Sequence, residues 1–551
     1  MSLELSNISS GNPRVVTSSE MRLIDKAAMQ NHFLSSRVLM EHAGMACVHA
    51  LLKAEPDISQ GKITILAGSG HNGGDGVVMG RILHGLGFCV EVCAFSEPVL
   101  SDEDLAGVWN SFQSVGGVVS IFQKGSSLYD FLSTIPSGSV VVDALSGTGF
   151  KGSPRGLLKE VVGEVTRRKK NDGIRIYSID LPSGNSADEG AEEYAGIEAT
   201  QTWALQCFKP IHVSSLAERV TGESILLDIS IPFSVVEKNS FPRPLITSRL
   251  AGDIVKEIFP ESPDTHKGKR GHVLVIGGAY GMEGAPVLAS HAALRSGAGL
   301  VTMVRPKGSE GVLVRPEIMQ KIPPRSDKGS FGHFDKDFWD EVVGSKHSIV
   351  IGPGFGIDKY SHQVLEYVIS YSLEHVIPLV IDADAITILS SSQSLLSSLA
   401  SHMVLTPHPG EFSRLTGCSV PKIQSSRMAL SHEFVSEKGS ILLLKGAFTV
   451  ISSKTYQYIS PYQEPVLGVA GSGDTLSGIL GALLGKGISS LDASILSVFL
   501  HAEGGRLWAL RNSSETGLFV SELADLIPEL LNRFVESFGS SSVSHGNHLR
   551  E

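Results

Sequence analysis

Short aliphatic runs alternate with helical stretches and glycine turns along almost the whole 551-residue chain. Residues 62–67, 90–95, 139–144 and 174–179 are apolar with little polar alternation, the pattern of strands covered on both faces. Between them, residues 105–115 have helical spacing, with Leu105, Val108, Trp109, Phe112 and Val115 on one face. A second series begins near His272, with strands expected at 272–276, 300–304, 348–351, 379–381, 403–406 and 441–445. Strands alternating with helices predict parallel sheets with covering helices, an α/β fold.

The two series part where the pattern changes. Residues 227–232 read as the last strand of the first series, and 241–247 (FPRPLIT), with two prolines, as a connector. A chain of this length exceeds one ordinary core, so two domains are expected at 14–240 and 246–535. Residues 536–551 form a polar tail with too little apolar surface to fold.

Composition narrows the class. Hydrophobic residues make up 42% and charged residues 19%, as in soluble globular proteins. A formal net charge of −11 argues against a broad nucleic-acid surface. No apolar run reaches the roughly 18 residues of a membrane span, and the first residues lack a basic-then-apolar signal pattern. A cytoplasmic enzyme is the simplest expectation. The five cysteines lack metal-site spacing and read as reduced, packed thiols, with Cys89 and Cys93 on one face of a strand.

In the first half, the strand ending at Ala67 leads into Gly68-Ser-Gly70-His71-Asn72-Gly73-Gly74-Asp75-Gly76, with a helix expected over 77–84. Glycines bring backbone N–H groups close to a phosphate, and the helix end attracts the same anion. Gly68–Gly73 fits GxGxxG, a weak match alone, and no clear carboxylate follows about 20 residues later. Asn72 and Asp75 place polar groups inside the turn, where packing gains little from them. Two later turns, Asp143-Ala-Leu-Ser-Gly147-Thr148-Gly149 and Ser178-Ile-Asp180-Leu-Pro-Ser183-Gly184, also follow strands. Any one turn alone reads as structural. In an open parallel sheet, strand ends face one crevice, so the three can share one site, and their oxygens can hold a cation.

In the second half, Gly468-Val-Ala-Gly471-Ser472-Gly473-Asp474-Thr475 precedes a helical run at 476–484. Glycines at a helix start form a hole for a transferring phosphoryl group, and an aspartate there can take a proton from an attacking hydroxyl. The alternative is a glycine-rich cap in which Asp474 only complements the helix dipole. Companions at other strand ends favour a site. They are Lys445-Gly446-Ala447-Phe448-Thr449, Thr406-Pro-His408-Pro-Gly-Glu411, Asp382-Ala-Asp384, Gly352-Pro-Gly354-Phe-Gly356, and the loop from Gly277 to Ala285 and Pro286.

The VLMEHAG helix at 38–44, the GSGHNGGDG turn, DALSGTG and SIDLPSG resemble the NAD(P)HX epimerase domain, which acts on C6 of the hydrated nicotinamide ring. The resemblance implies a Rossmann-like three-layer domain. It implies substrate contacts from His71, Asn72, Gly73, Gly74, Asp75, Gly147, Thr148, Gly149 and Asp180, with Asp180 and Lys209 catalytic. It also implies a potassium ion near Asn72, Asp143 and Ser183. His42, His71 and Ser186 depart from the family's usual residues.

The second motif set is similar to the ADP- or ATP-dependent NAD(P)HX dehydratases, whose fold is ribokinase-like. That likeness implies hydrated-cofactor contacts from Ala285, Gly354, His408 and Asp474, and nucleotide contacts from Lys445–Thr449 and Gly473. Mg²⁺ is expected, with ADP favoured over ATP, and a homo-oligomer. The rival readings are a small-molecule kinase with a nucleotide-binding regulatory domain, a first half serving as a protein-binding module, and a nicotinamide-dependent dehydrogenase.

Overall fold

The computed structural model describes residues 12–539, apart from 33, 59–60, 96–101, 123–131, 192, 260–261, 309–312 and 328. The chain divides into two compact units, Met1–Leu245 and Ile246–Glu551. The division falls inside the proline-containing stretch 241–247. No helix among the described residues is long and apolar enough to cross a membrane.

The first unit is built on β1 (Ile63–Ala67), β2 (Val90–Ala94), β3 (Val118–Ile121), β4 (Val140–Ala144), β5 (Arg175–Ile179), β6 (Gln201–Leu205) and β7 (Glu223–Leu227). They pair in the order β3-β2-β1-β4-β5-β6-β7, all parallel. The aliphatic runs of β1 and β4 are buried along their full length, because helices cover both faces of such a sheet. Strand order reverses between β1 and β4, and Ala67 lies in register with Ala144. The turns that follow these strands therefore leave the sheet side by side at its switch point.

The second unit carries β8 (His272–Ile276), β9 (Leu300–Val304), β10 (Ile318–Lys321), β11 (Ser348–Ile351), β12 (Leu379–Ile381), β13 (Met403–Leu405), β14 (Ile441–Leu444), β15 (Val450–Ser452) and β16 (Gln457–Ile459). The order is β10-β9-β8-β11-β12-β13-β14-β15-β16, parallel except for the last two pairings. Its switch point lies between β8 and β11. Two apolar clusters, one on each face of this sheet, share its strands: Val273 and Val350 belong to one, Leu274 and Ile349 to the other. Alternate residues of one strand thus feed opposite cores.

Several elements differ from the sequence expectation. The helix expected at 77–84 spans His71–Gly85, so GGDG lies inside its first two turns and not in a loop before it. Likewise, the helix expected at 476–484 spans Ser472–Gly485. The last strand of the first unit is Glu223–Leu227 and not 227–232. The helix Val520–Gly539 runs into the expected tail, and residues 540–551 lie outside the described residues. The five cysteines are free, but Cys89 is exposed while Cys93 is buried, because the strand starts only at Val90.

Close helix packing in the second unit depends on a missing side chain. A Cβ on Gly478 would sit 2.1 Å from the Ala289 carbonyl oxygen on the neighbouring helix Gly284–Arg295. Gly163, inside the helix Gly156–Asp172, has open space at the same position. Gly478→Ala should therefore destabilise by about 1–3 kcal/mol, whereas Gly163→Ala should stabilise by up to about 1 kcal/mol. Thermal melting of the two variants checks the pair, and equal melting would contradict the packing described.

Candidate active sites

At the first switch point lies a cavity of about 420 Å³, lined by His71, Asn72, Asp75, Gly147–Gly149, Asp180 and Lys209 among others. Each group comes from a different strand end or helix. Asp75 stands just past the first turn of His71–Gly85, and Gly147–Gly149 follow β4. Asp180 follows β5 in a left-handed conformation, φ 65°, a strained backbone for an aspartate. Burial of Lys209 is nearly complete.

A fixed network holds Asp180 and Lys209 together. The Lys209 ammonium donates to the Asp180 carboxylate and, at 2.9 Å, to the Leu205 carbonyl. The Leu205 amide donates to the same carboxylate oxygen at 3.2 Å. Buried His212 ties both backbones: its Nδ1 accepts from the Lys209 amide and its Nε2–H donates to the Asp180 carbonyl, each at 2.9 Å. Burial, then the neighbouring ammonium, lower the His212 pKa to about 4, so the ring stays neutral.

Lys209 is outnumbered. Burial, followed by repulsion from Asp180 and Asp25, holds the Asp75 pKa well above the carboxylate range. Asp25, on the helix Ser18–His32, also lines the cavity, and burial raises its pKa to about 6. The sequence reading missed Asp25, although the signal was available. It sits at helical spacing from buried Met21 and Ala28, where a solvated carboxylate has no reason to be.

Asp143 and Ser183 lie beside this cavity. Asp143 is fully buried at the end of β4, and accepts from the Ser178 hydroxyl (2.8 Å), the Ser183 amide (2.8 Å) and the Leu145 amide (3.3 Å). Burial nevertheless raises its pKa. It has no ion-pair partner among the described residues. His71 is largely exposed and reaches Asp102 at 3.2 Å.

In the second unit, Asp474 lies in the first turn of Ser472–Gly485, whose start is Gly471 at φ 88°, a backbone only glycine adopts freely. First-turn amides lack intrahelical carbonyl partners and can receive an anion. His501, buried and neutral with its pKa lowered by burial to about 4, fixes this turn through the Ser472 carbonyl at 3.0 Å. The Lys445 ammonium stands 3.1 Å from the Cβ position of Gly473, so a larger residue at 473 would displace it.

Lys445 pairs with Asp382 at 2.9 Å, and Asp382 also accepts from Ser477 at 2.6 Å. Burial opposes the Asp382 charge, but Lys445 and Ser477 outweigh it and hold the pKa low. Asp474 is left without that protection. Burial first, then repulsion from Asp382, raise its pKa to about 7, with Asp384 and Glu411 adding to the effect. The nucleotide-type turn after Lys445 is shaped by Phe448 at φ 52° and by the Thr449 hydroxyl, which donates to the Gly446 carbonyl at 2.9 Å. Arg427, absent from the sequence reading, buttresses this turn through the Leu444 carbonyl at 2.8 Å.

Near the second switch point, the loops after β8 and β11 are joined by the Gly278 and Ala279 amides, which donate to the Gly354 carbonyl at 2.8 and 2.7 Å. This places Gly354 beside the loop that leads to Ala285. His408 acts locally on its own turn. Its Nδ1 accepts from the Gly410 and Glu411 amides, and the His408 amide donates to Glu411. It caps the helix Pro409–Thr416. Its ring is more than half exposed and so also accessible to a ligand.

Both units match known protein families. Residues 36–211 match the model for the YjeF-related protein N-terminus, and residues 273–529 match that for NAD(P)H-hydrate dehydratase. The bifunctional NAD(P)H-hydrate repair enzyme of Moorella thermoacetica is 33% identical over 95% of this chain and 97% of its own. That of Escherichia coli is 30% identical over 90% and 89%. The solved structure of an ADP/ATP-dependent NAD(P)H-hydrate dehydratase from Bacillus subtilis, co-crystallised with ATP/Mg²⁺, is also similar. It is 27% identical, covering 53% of this chain and 99% of that one, with a TM-score of 0.43. Of the readings open from sequence, the kinase, binding-module and dehydrogenase alternatives fall away. The chain belongs to the bifunctional NAD(P)H-hydrate repair enzymes.

Proposed function

We propose that the two sites divide the repair of hydrated NADH and NADPH as follows. In the first unit, Asp180 exchanges a proton with the C6 hydroxyl of the hydrated ring, and Lys209 positions that carboxylate. The R and S forms then interconvert. His71–Asp75 and Gly147–Gly149 hold the dinucleotide. This is supported by their convergence on one cavity at the sheet's switch point.

In the second unit, Asp474 takes the proton of the C6 hydroxyl as its oxygen attacks the terminal phosphorus of ADP. The bond between the two phosphates breaks, AMP leaves, and a C6 phosphate ester forms. The ring nitrogen lone pair then expels phosphate with loss of a C5 proton, giving NAD(P)H. Lys445–Thr449 and Gly473 hold the nucleotide, and Ala285, Gly354 and His408 the hydrated ring. The observation that carries this reading is the placement of Asp474 at an open helix start beside Lys445, where the carboxyl titrates near 7. A general base works best with its pKa near the operating pH.

Two ions fit the residues. Asn72, Asp143 and Ser183 suit potassium: Asp143 is a buried carboxylate without a counter-ion among the described residues. The buried Asn72 amide nitrogen has no hydrogen-bond partner, and the amide turned over would offer its oxygen. The ion would supply the missing positive charge. Mg²⁺ would be held chiefly by nucleotide oxygens and water, as is its habit, with Asp384 and Glu411 available to it.

The full chain should convert both epimers of hydrated NADH to NADH, consuming one ADP and releasing AMP and phosphate per turnover. Chromatography and nicotinamide absorbance follow both products. A stable phosphorylated product with no rise in absorbance would defeat the dehydration scheme. Asp180→Ala should abolish epimerisation while the competent epimer is still dehydrated.

Asp474→Asn should lower dehydration about 10²–10⁴-fold, and the parent rate should rise with pH through about 7 as Asp474 ionises. Stability should move oppositely. Between the unfolded carboxyl pKa near 4 and about 7, the folded chain holds an extra proton, so stability falls as pH rises through that window. At pH 8 the Asn variant should melt higher than the parent, by on the order of a few kcal/mol, and at pH 4 the two should converge. A variant no more stable than the parent at pH 8 would contradict the burial of an ionised Asp474.

A further inference from the structure

We infer that Asp25 is a second proton-transfer residue of the epimerisation site, serving one face of C6 while Asp180 serves the other. The inference rests on the reading of the first cavity as that site. Inverting C6 requires the hydroxyl to leave one face of the ring and a water to enter on the opposite face. One carboxyl donates a proton to the departing oxygen, the C6–O bond breaks, and the ring nitrogen lone pair forms the C6=N bond as water departs. A water then adds to the other face and gives its proton to a second carboxylate. For the opposite epimer the two carboxyls exchange roles, so no proton is gained or lost overall.

A single side chain fixed as Asp180 is cannot serve both faces. Its carboxylate is held by Lys209 and by the Leu205 amide, and its backbone by His212. Asp25 reaches the same cavity from a separate element, the helix Ser18–His32. Among the described residues it accepts no hydrogen bond, so its carboxyl is uncommitted. The charged and titratable groups around it are Lys209, Asp180, Asp75, His71 and Arg22. Burial, with repulsion from Asp180, brings its pKa to about 6, so near neutrality both protonation states are within reach. A carboxylate on the buried stripe of a helix, without a partner, is costly as packing alone.

The test uses the full chain without nucleotide, starting from each purified epimer of hydrated NADH in turn and following its interconversion by chromatography. Asp25→Asn should reduce kcat about 10²–10⁴-fold with KM little changed, and Asp25→Glu should restore most of the rate. From the epimer for which Asp25 is the base the parent should lose rate as pH falls through about 6, and from the opposite epimer as pH rises through it. The Asn variant's residual rate should lack both limbs. An Asn variant within fivefold of the parent, or a loss confined to KM, would overturn the role of Asp25. Should melting show the Asn variant misfolded, the Glu variant decides: an unshifted acid limb there overturns the inference as well. A parent chain that interconverts the epimers no faster than buffer would instead defeat the epimerisation reading itself.

Discussion

A lysine outnumbered by carboxyl groups, buried in the first unit and partly buried in the second, sets the terms in both units. Lys209 faces Asp180, Asp75 and Asp25; Lys445 faces Asp382, Glu411 and Asp474. An ammonium out of water needs a charged partner, and breaking such a pair is strongly unfavourable. One carboxylate in each set therefore locks onto the lysine. The remaining acids sit in the same pocket, where burial and repulsion outweigh the shared lysine and raise their pKa above the ordinary carboxylate value. The raised pKa values are thus a by-product of how the lysine is kept out of water.

The parallel sheets make this crowding possible. Each places the ends of several strands at one switch point, and the side chains just beyond those ends converge although their sequence positions are far apart. Asp382 and Lys445 follow β12 and β14; Asp180 and Lys209 follow β5 and β6. Elements that pack behind the turns then fix them, as His212 does in one unit and His501 in the other.

Much of this was legible in the amino-acid sequence because central strands are predominantly aliphatic. β8, β11 and β14 announce themselves that way. β6 does not: it begins Gln201-Thr202, whose polar groups are satisfied inside the sheet by Glu223 and the Thr221 carbonyl at 2.7 Å each. Helix starts were misplaced because glycines that read as loop belong to the opening turns of these helices. Asp180 and Asp474 were visible because they stand in glycine turns. Arg427 was not, because its role depends on the turn that another segment brings alongside, whereas Asp25 was marked by its helical spacing and the His408 cap is local to its own turn.

The crowded acids at the start of Ser472–Gly485 also link ligand to proton. On the proposed reading, a polyphosphate arriving beside Asp474 would add negative charge to a carboxyl already titrating near 7, and would draw a proton from solvent as it bound. Nucleotide affinity would then strengthen as the medium acidifies, while the proposed step that consumes the nucleotide would weaken. Saturation and turnover are pulled in opposite directions by one side chain. The heat of nucleotide binding accordingly carries the ionisation heat of whichever buffer surrenders that proton.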